Sequence, residues 1–171
     1  MKKIRMTFAA VLATASFIAT SCSSDDGGSG GGSNLDTYIS AKVDGQTFTT
    51  FSAGGVAAST AIRSADLIQV TATSMVSATA TDTKTLAISL FGVTAPGTYQ
   101  VGPNSDNSIS YVEGASFSAF STNVCAGATG TITVTTINDT KIEGTFSFTG
   151  KNDDNCSQQR VVTEGQFRGT F

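Results

Sequence analysis

The chain has no histidine, no tryptophan, only two prolines and only three cysteines in 171 residues. Without histidine, Ser-His-Asp and Cys-His catalysis and His-ligated zinc sites are excluded. Without tryptophan the usual sugar-stacking platform is missing, and tyrosine or phenylalanine would have to take its place. Positive charge is scarce as well. Ten Lys and Arg stand against thirteen Asp and Glu, and Lys2, Lys3 and Arg5 lie within the first five residues. Beyond residue 21 the balance is seven to thirteen, a net charge of −6. Nucleic acid is therefore not an expected partner, because phosphate binding needs a basic surface. The same charge does not draw the chain onto an anionic bilayer. No apolar run reaches the ~20 residues of a membrane-spanning helix.

What the N-terminus does contain is an export signal. Lys2, Lys3 and Arg5 precede an apolar run from Met6 to Ala19, and small residues then lead to Cys22. Ala19-Thr20-Ser21-Cys22 resembles the lipobox of bacterial lipoproteins, with Ala19 where that pattern has leucine. The resemblance implies that the Cys22 thiol is acylated and that Cys22 becomes the first mature residue. The alternative is an ordinary signal peptide cut after a small residue. Ser23-Ser24-Asp25-Asp26 resembles the acidic signal that sends Bacteroidota lipoproteins to the outer face of the outer membrane. Contact with a membrane is expected through the lipid, and a stable anchor takes more than one acyl chain. Gly27-Gly28-Ser29-Gly30-Gly31-Gly32-Ser33 reads as a flexible tether without fixed structure. A phosphate-binding loop is rejected, since no strand precedes it and no helix or Lys follows. The expected divisions are a signal peptide over 1–21, a lipidated cysteine and linker over 22–34, and a single all-β domain over 35–171.

From Leu35 onward the hydrophobic period is two. Ile39, Ala41 and Val43 alternate with polar residues up to Asp44-Gly45, a strong hairpin signal because both turn residues need positive φ. Folding about that turn sets Ala41 opposite Phe48 and Ile39 opposite Thr50. Ser52 to Asp66 is small and weakly patterned; a strand around Val56 and a short helix are the two readings. Ile68, Val70, Ala72 and then Leu86, Ile88, Leu90 mark half-buried strands. Pro96-Gly97 is a turn before a strand over Thr98 to Val101. Further strands are expected over Ile109 to Val112 and Ser116 to Phe120. In the last third, Ile132 and Val134 are expected to face Phe148 and Phe146 across a turn at Asn138-Asp139-Thr140. A loop over Lys151 to Gln159 follows. The final strand puts Val161, Thr163, Gly165, Phe167 and Gly169 on one face and runs to the last residue. No segment holds a 3.6-residue period. The expected fold is an antiparallel β-sandwich or barrel of about nine or ten short strands.

Candidate chemistry is thin. If Cys22 is lipidated, Cys125 and Cys156 remain as an even pair in an oxidising compartment, which predicts a disulfide. The hairpin register brings position 125 opposite 155 and leads to the same pairing. Asp153 and Asp154, within Asn152-Asp153-Asp154-Asn155, offer oxygen ligands for Ca²⁺ but lack the glycine and distal glutamate of an EF-hand. A solvated turn is the favoured reading, since Asn and Asp are ordinary turn residues. Glu113, Glu143 and Glu164 are the carboxylates to consider for hydrolysis, which needs two of them ~5–9 Å apart; as surface charges they need no such partner. Tyr38, Phe51, Phe91, Tyr99 and Tyr111 are aromatic candidates for a ligand patch, although isolated exposed aromatics are ordinary.

Ile39-Ser40-Ala41-Lys42-Val43-Asp44-Gly45-Gln46-Thr47-Phe48, Pro96-Gly97-Thr98-Tyr99, Gly130-Thr131-Ile132-Thr133-Val134 and Gly144-Thr145-Phe146-Ser147-Phe148 follow one another in an order that resembles small Bacteroidota lipoproteins of a domain-of-unknown-function family. The resemblance covers most of 36–171 and carries no activity or functional residue. The expectation is a cell-surface or outer-membrane lipoprotein with a non-catalytic binding or structural domain and no cofactor. Its partner would be a glycan, a protein or a small apolar ligand. A barrel holding an apolar ligand is the main alternative, and a carboxylate hydrolase the last.

Overall fold

The computed structural model describes residues 36–171 apart from 76 and 78. The signal peptide, Cys22 and the tether lie outside the described residues. Within them the chain is all-β. The Asp44-Gly45 turn, with φ of 47° and 81°, joins β1 (Tyr38–Val43) to β2 (Gln46–Thr49), and Ala41 pairs with Phe48 as expected. Thr50 continues the register by side chain, its Oγ1 accepting from Ile39 N at 2.8 Å. Two strands of two residues, β3 (Ser52–Ala53) and β4 (Val56–Ala57), then fold about Gly54-Gly55. β5 (Ser59–Ser64), β6 (Leu67–Ser74) and β7 (Lys84–Phe91) form a meander whose inner face carries Ile68, Val70, Ala72, Leu86, Ile88 and Leu90. After β8 (Gly97–Val101) come β9 (Ser108–Glu113) and β10 (Ser118–Ser121). The longest strands close the chain: β11 (Thr129–Ile137), β12 (Lys141–Asn152) and β13 (Gln159–Thr170).

Eleven of these strands make one antiparallel sheet, nine of them in the order β2-β1-β13-β12-β10-β9-β7-β6-β5 and two, β11 and β8, off that path. β12 is the joint. Its first part pairs with β11, which carries β8 beyond it, and its last two residues pair with β10. The sheet therefore forks on one side of β12 and curls into a half-barrel. The curl brings β5 and β6 over the end of β13: a methyl group added at Gly169 would lie 2.8 Å from Ala61 and from Val70. The inside of the curl is filled, with Phe48, Tyr111, Phe120, Phe146, Phe148 and Phe167 all buried.

Five expectations need correction. Thirteen strands form instead of nine or ten, because the glycine pair at 54–55 turns the poorly patterned stretch into a hairpin and a separate β5. β10 begins at Ser118 rather than Ser116, since Phe117 takes a left-handed φ of 52° in the turn. Ile132 pairs with Phe146 and Val134 with Gly144, two residues from the expected register, so that Phe148 falls opposite Gly130. In β13 it is Val162 that is buried, while Val161 is 39% exposed. A β-bulge at Glu164, φ 52°, inserts one residue into the strand and reverses the alternation on its N-terminal side. The loop between β12 and β13 is also shorter than expected, because β12 extends through Asn152.

Candidate functional site

The β1–β2 turn is tied to the start of β13. Asp44 N donates to Val161 O at 2.8 Å, and Val161 N donates back to Asp44 Oδ1 at 2.9 Å. This places Arg160, the residue before, beside the mouth of the curl. Its guanidinium meets Glu113, the last residue of β9, as a fork: Nε to Oε1 at 2.8 Å and Nη2 to Oε2 at 3.2 Å. Asp44 Oδ2 lies 3.5 Å from the same Nε, and the guanidinium carbon sits over the Phe120 ring, 4.6 Å from its centre. Planar two-point pairing and stacking on an aromatic are what arginine offers and lysine does not.

A cavity of about 320 Å³ opens between this cluster and the β1–β2 hairpin. Val43 and Phe48 contribute apolar surface, Gln46 and Thr47 the hairpin wall, and Lys84 and Tyr111 the opposite side. Lys84 is the cross-strand neighbour of Glu113, yet it makes no ion pair among the described residues. Tyr111 is only 2% exposed and packs its ring against Phe120 with centroids 6.4 Å apart. Its hydroxyl makes no hydrogen bond to a described residue. Burial pushes its pKa up to about 12, with Glu113 adding to the rise and Arg160 opposing it. The hydroxyl therefore stays protonated.

The three glutamates do not converge. Glu113 lines the mouth, and Glu164 lines a concavity on the outer face with Thr133, Thr145 and Gln166. Glu143 lies on β12 between Lys141 and Arg168, at 3.2 and 2.6 Å. Burial acts to raise the Glu143 pKa, but the bonds and charges of Lys141 and Arg168 outweigh it and hold the carboxyl below its usual value. Glu164 pairs with Lys42 at 2.8 Å. Each of the three carboxylates thus has a basic partner.

The aromatic candidates are dispersed. Tyr111 is in the core, Tyr38 lies under Arg168 on β1, and Tyr99 on β8 donates its hydroxyl to Ala95 O at 2.6 Å. Phe51 is half-buried beyond β2, and Phe91, 53% exposed, ends β7. Asp153 and Asp154 sit in an Asx turn. Asn152 Oδ1 accepts from the backbone of Asp154 and Asn155, and Asp153 accepts from Ser121 Oγ at 2.5 Å. Burial raises the Asp153 pKa. No group of three or more acidic, histidine or cysteine residues is placed to hold a metal among the described residues. Cys125 and Cys156 form a disulfide with Cα atoms 5.5 Å apart.

Sequence reasoning noticed Asp44 only as a turn residue and missed Arg160 and Lys84. Long-range strand order brings these together with Glu113, and no local pattern encodes it.

A family model described as a domain of unknown function (DUF6252) matches residues 36–169. No curated protein and no solved structure gives a match.

Proposed function

We propose that this chain, which belongs to the DUF6252 family of unknown function, is a Bacteroidota-type lipoprotein exported to the outer membrane and exposed at the cell surface. Its β-domain acts by binding or as a structural module rather than by catalysis. The observation that carries this reading is the division of the cysteines. Cys125 and Cys156 are joined to each other, which suits an oxidising compartment, and the third cysteine, Cys22, follows a charged and apolar leader in the sequence, as an acylated cysteine would. The non-catalytic part is supported by the pairing of Glu113, Glu143 and Glu164 with Arg160, Lys141 and Arg168, and Lys42. A carboxylate spent on a fixed base is poorly placed to shuttle protons. An apolar ligand inside the curl has less support, because aromatic side chains fill that space.

Membrane fractionation with surface proteolysis tests the anchor. The full chain should sediment with the outer membrane and be shaved from intact cells by added protease. Cys22→Ser should leave the outer-membrane fraction or persist as an unprocessed precursor. A Cys22→Ser chain that is processed normally and stays on the outer membrane overturns the reading.

A further inference from the structure

We infer that Cys156 is a thiol-exchange site, the sulfur at which a thiol from outside the chain enters the Cys125–Cys156 bond. The inference goes beyond the anchor and the binding role proposed above and does not rest on them. It starts from an asymmetry within the disulfide. Cys125 is 1% exposed, whereas Cys156 is exposed and sits in a run of exposed residues from Asp154 to Gln159. Exchange is an in-line displacement. A thiolate approaches one sulfur from behind and the other sulfur departs, so the rate depends on which sulfur can be reached. Surrounding protein closes the approach to Cys125, and solvent opens the approach to Cys156.

The chemistry balances at that sulfur. The entering thiolate forms a bond to Cys156 Sγ. The electron pair of the old S–S bond leaves on Cys125 Sγ, which takes a proton from water. A second thiolate, from the same dithiol or from another small thiol, then attacks the entering sulfur and frees Cys156 as a thiolate, which is protonated in turn. The two entering thiols are oxidised to a disulfide and the two cysteines are reduced. The buried product has a partner waiting. Cys125 Sγ lies 3.3 Å from Asn152 O. Within the disulfide that sulfur has no hydrogen to give. As a thiol it donates to the carbonyl, so Cys125 is not left unsatisfied in the interior. Asn152 also keeps Cys156 close. Its carbonyl accepts from Cys156 N at 2.9 Å, and its Oδ1 accepts from Asp154 N and Asn155 N at 3.0 and 3.2 Å. These bonds tether the turn to the end of β12 when the sulfurs part, so the disulfide can re-form by the same route. The exchange acts where the two arms of the sheet meet, at the pairing of Phe120 with Asn152. The site is a redox-operated joint, and the reactant it takes is a thiolate, carried by a small thiol or by a dithiol oxidoreductase.

The test is reduction of the detergent-solubilised full chain by glutathione without denaturant, quenched with N-ethylmaleimide and read by peptide mapping. A thioredoxin whose resolving cysteine is replaced by serine runs in parallel, as a protein source of the same thiolate. The chain in concentrated urea is the control. In the folded chain glutathione should be found on Cys156 about tenfold more often than on Cys125, and in urea on the two within about twofold, because unfolding removes the difference in access. The rate of the folded chain should rise in proportion to the glutathione concentration. Cys125→Ser, with Cys156 left as a free thiol, should take glutathione from its disulfide about tenfold faster than Cys156→Ser does. Should either variant fail to fold, the mapping of the parent chain decides alone. Thioredoxin trapped on Cys156 shows that a protein reaches the turn. A glutathione adduct on Cys156 without trapped thioredoxin assigns the site to small thiols, and both results support Cys156 as the entry. The inference is overturned if the folded chain carries adducts on Cys125 as often as on Cys156. It is equally overturned if reduction proceeds at a rate that ignores the glutathione concentration and matches unfolding, as for an inert staple.

Discussion

Phe146, Phe148 and Phe167 each lie across from a glycine on the neighbouring strand: Gly165, Gly130 and Gly144. Each ring covers the backbone that the glycine leaves bare, a known way to support glycine within a sheet. A methyl group at Gly165 would come within 2.5 Å of Phe146 O and 2.7 Å of its ring. Overpacking of that kind costs ~1–3 kcal/mol, while replacing glycine in a strand returns ~0.5–1 kcal/mol of backbone entropy. The clash wins. Gly165→Ala should lower stability to urea by about 1–2 kcal/mol, whereas Gly102→Ala, whose new methyl would meet nothing closer than 3.6 Å, should stay within about 0.5 kcal/mol of the parent. Equal stabilities for the two variants would refute the glycine–phenylalanine contact. The glycines were visible in the sequence, but which phenylalanine each one faces was not. The expected hairpin register was two residues out, and in that register Phe148 covers Ile132 instead of Gly130.

At the scale of the strand, β13 shows what alternation can and cannot reveal. From Gly165 to Gly169 the period of two reads the buried face correctly. Before Glu164 it fails, because the bulge adds a residue that no hydrophobic pattern announces. Asp44-Gly45 was legible because only certain residues tolerate two successive positive φ angles; Glu164 is not among those residues, so its left-handed φ of 52° left no mark. A left-handed conformation costs an L-residue ~1–2 kcal/mol and more when the side chain is β-branched. The exposed Lys42–Glu164 pair, at 45% and 66% side-chain exposure, returns no more than ~1 kcal/mol. Glu164→Val should therefore destabilise the domain by about 1–2 kcal/mol in urea unfolding, and Glu164→Gly should leave stability within about 1 kcal/mol of the parent. If valine is tolerated as well as glycine, the bulge does not sit at Glu164. The same bulge allows Val162 to face the core while Arg160, two residues away, reaches Glu113 at the mouth. The candidate site was illegible in the sequence for this reason: it depends on β1, β7, β9 and β13 meeting after the curl has formed.

Across the whole molecule, the forked sheet needs something to hold its two arms at the joint. β10 meets β12 only through Phe120 and Ser121, which pair with Asn152 and Lys151, the last two residues of β12, while β11 leaves the same strand just before them. Cys125 lies in the segment between β10 and β11, and Cys156 in the turn between β12 and β13, so the disulfide spans the fork. Its presence was legible from cysteine parity. The hairpin argument reached the same pair through a register that does not form, so parity, not register, was the sound warrant. The bond closes a loop with a sequence separation of 31, for which chain entropy gives a stabilisation of about 3–4 kcal/mol. That is a large part of the ~5–15 kcal/mol that holds a domain of this kind together. Reduction, or the double substitution Cys125→Ser with Cys156→Ser, should lower the unfolding temperature by roughly 10 °C. Amide exchange should rise first in β10 and the Asp153–Gln158 turn, where the arms part, and last in β12 and β13 away from the fork. A reduced domain that unfolds at the parent temperature, or that loosens evenly along every strand, would show that the fork holds without the bond.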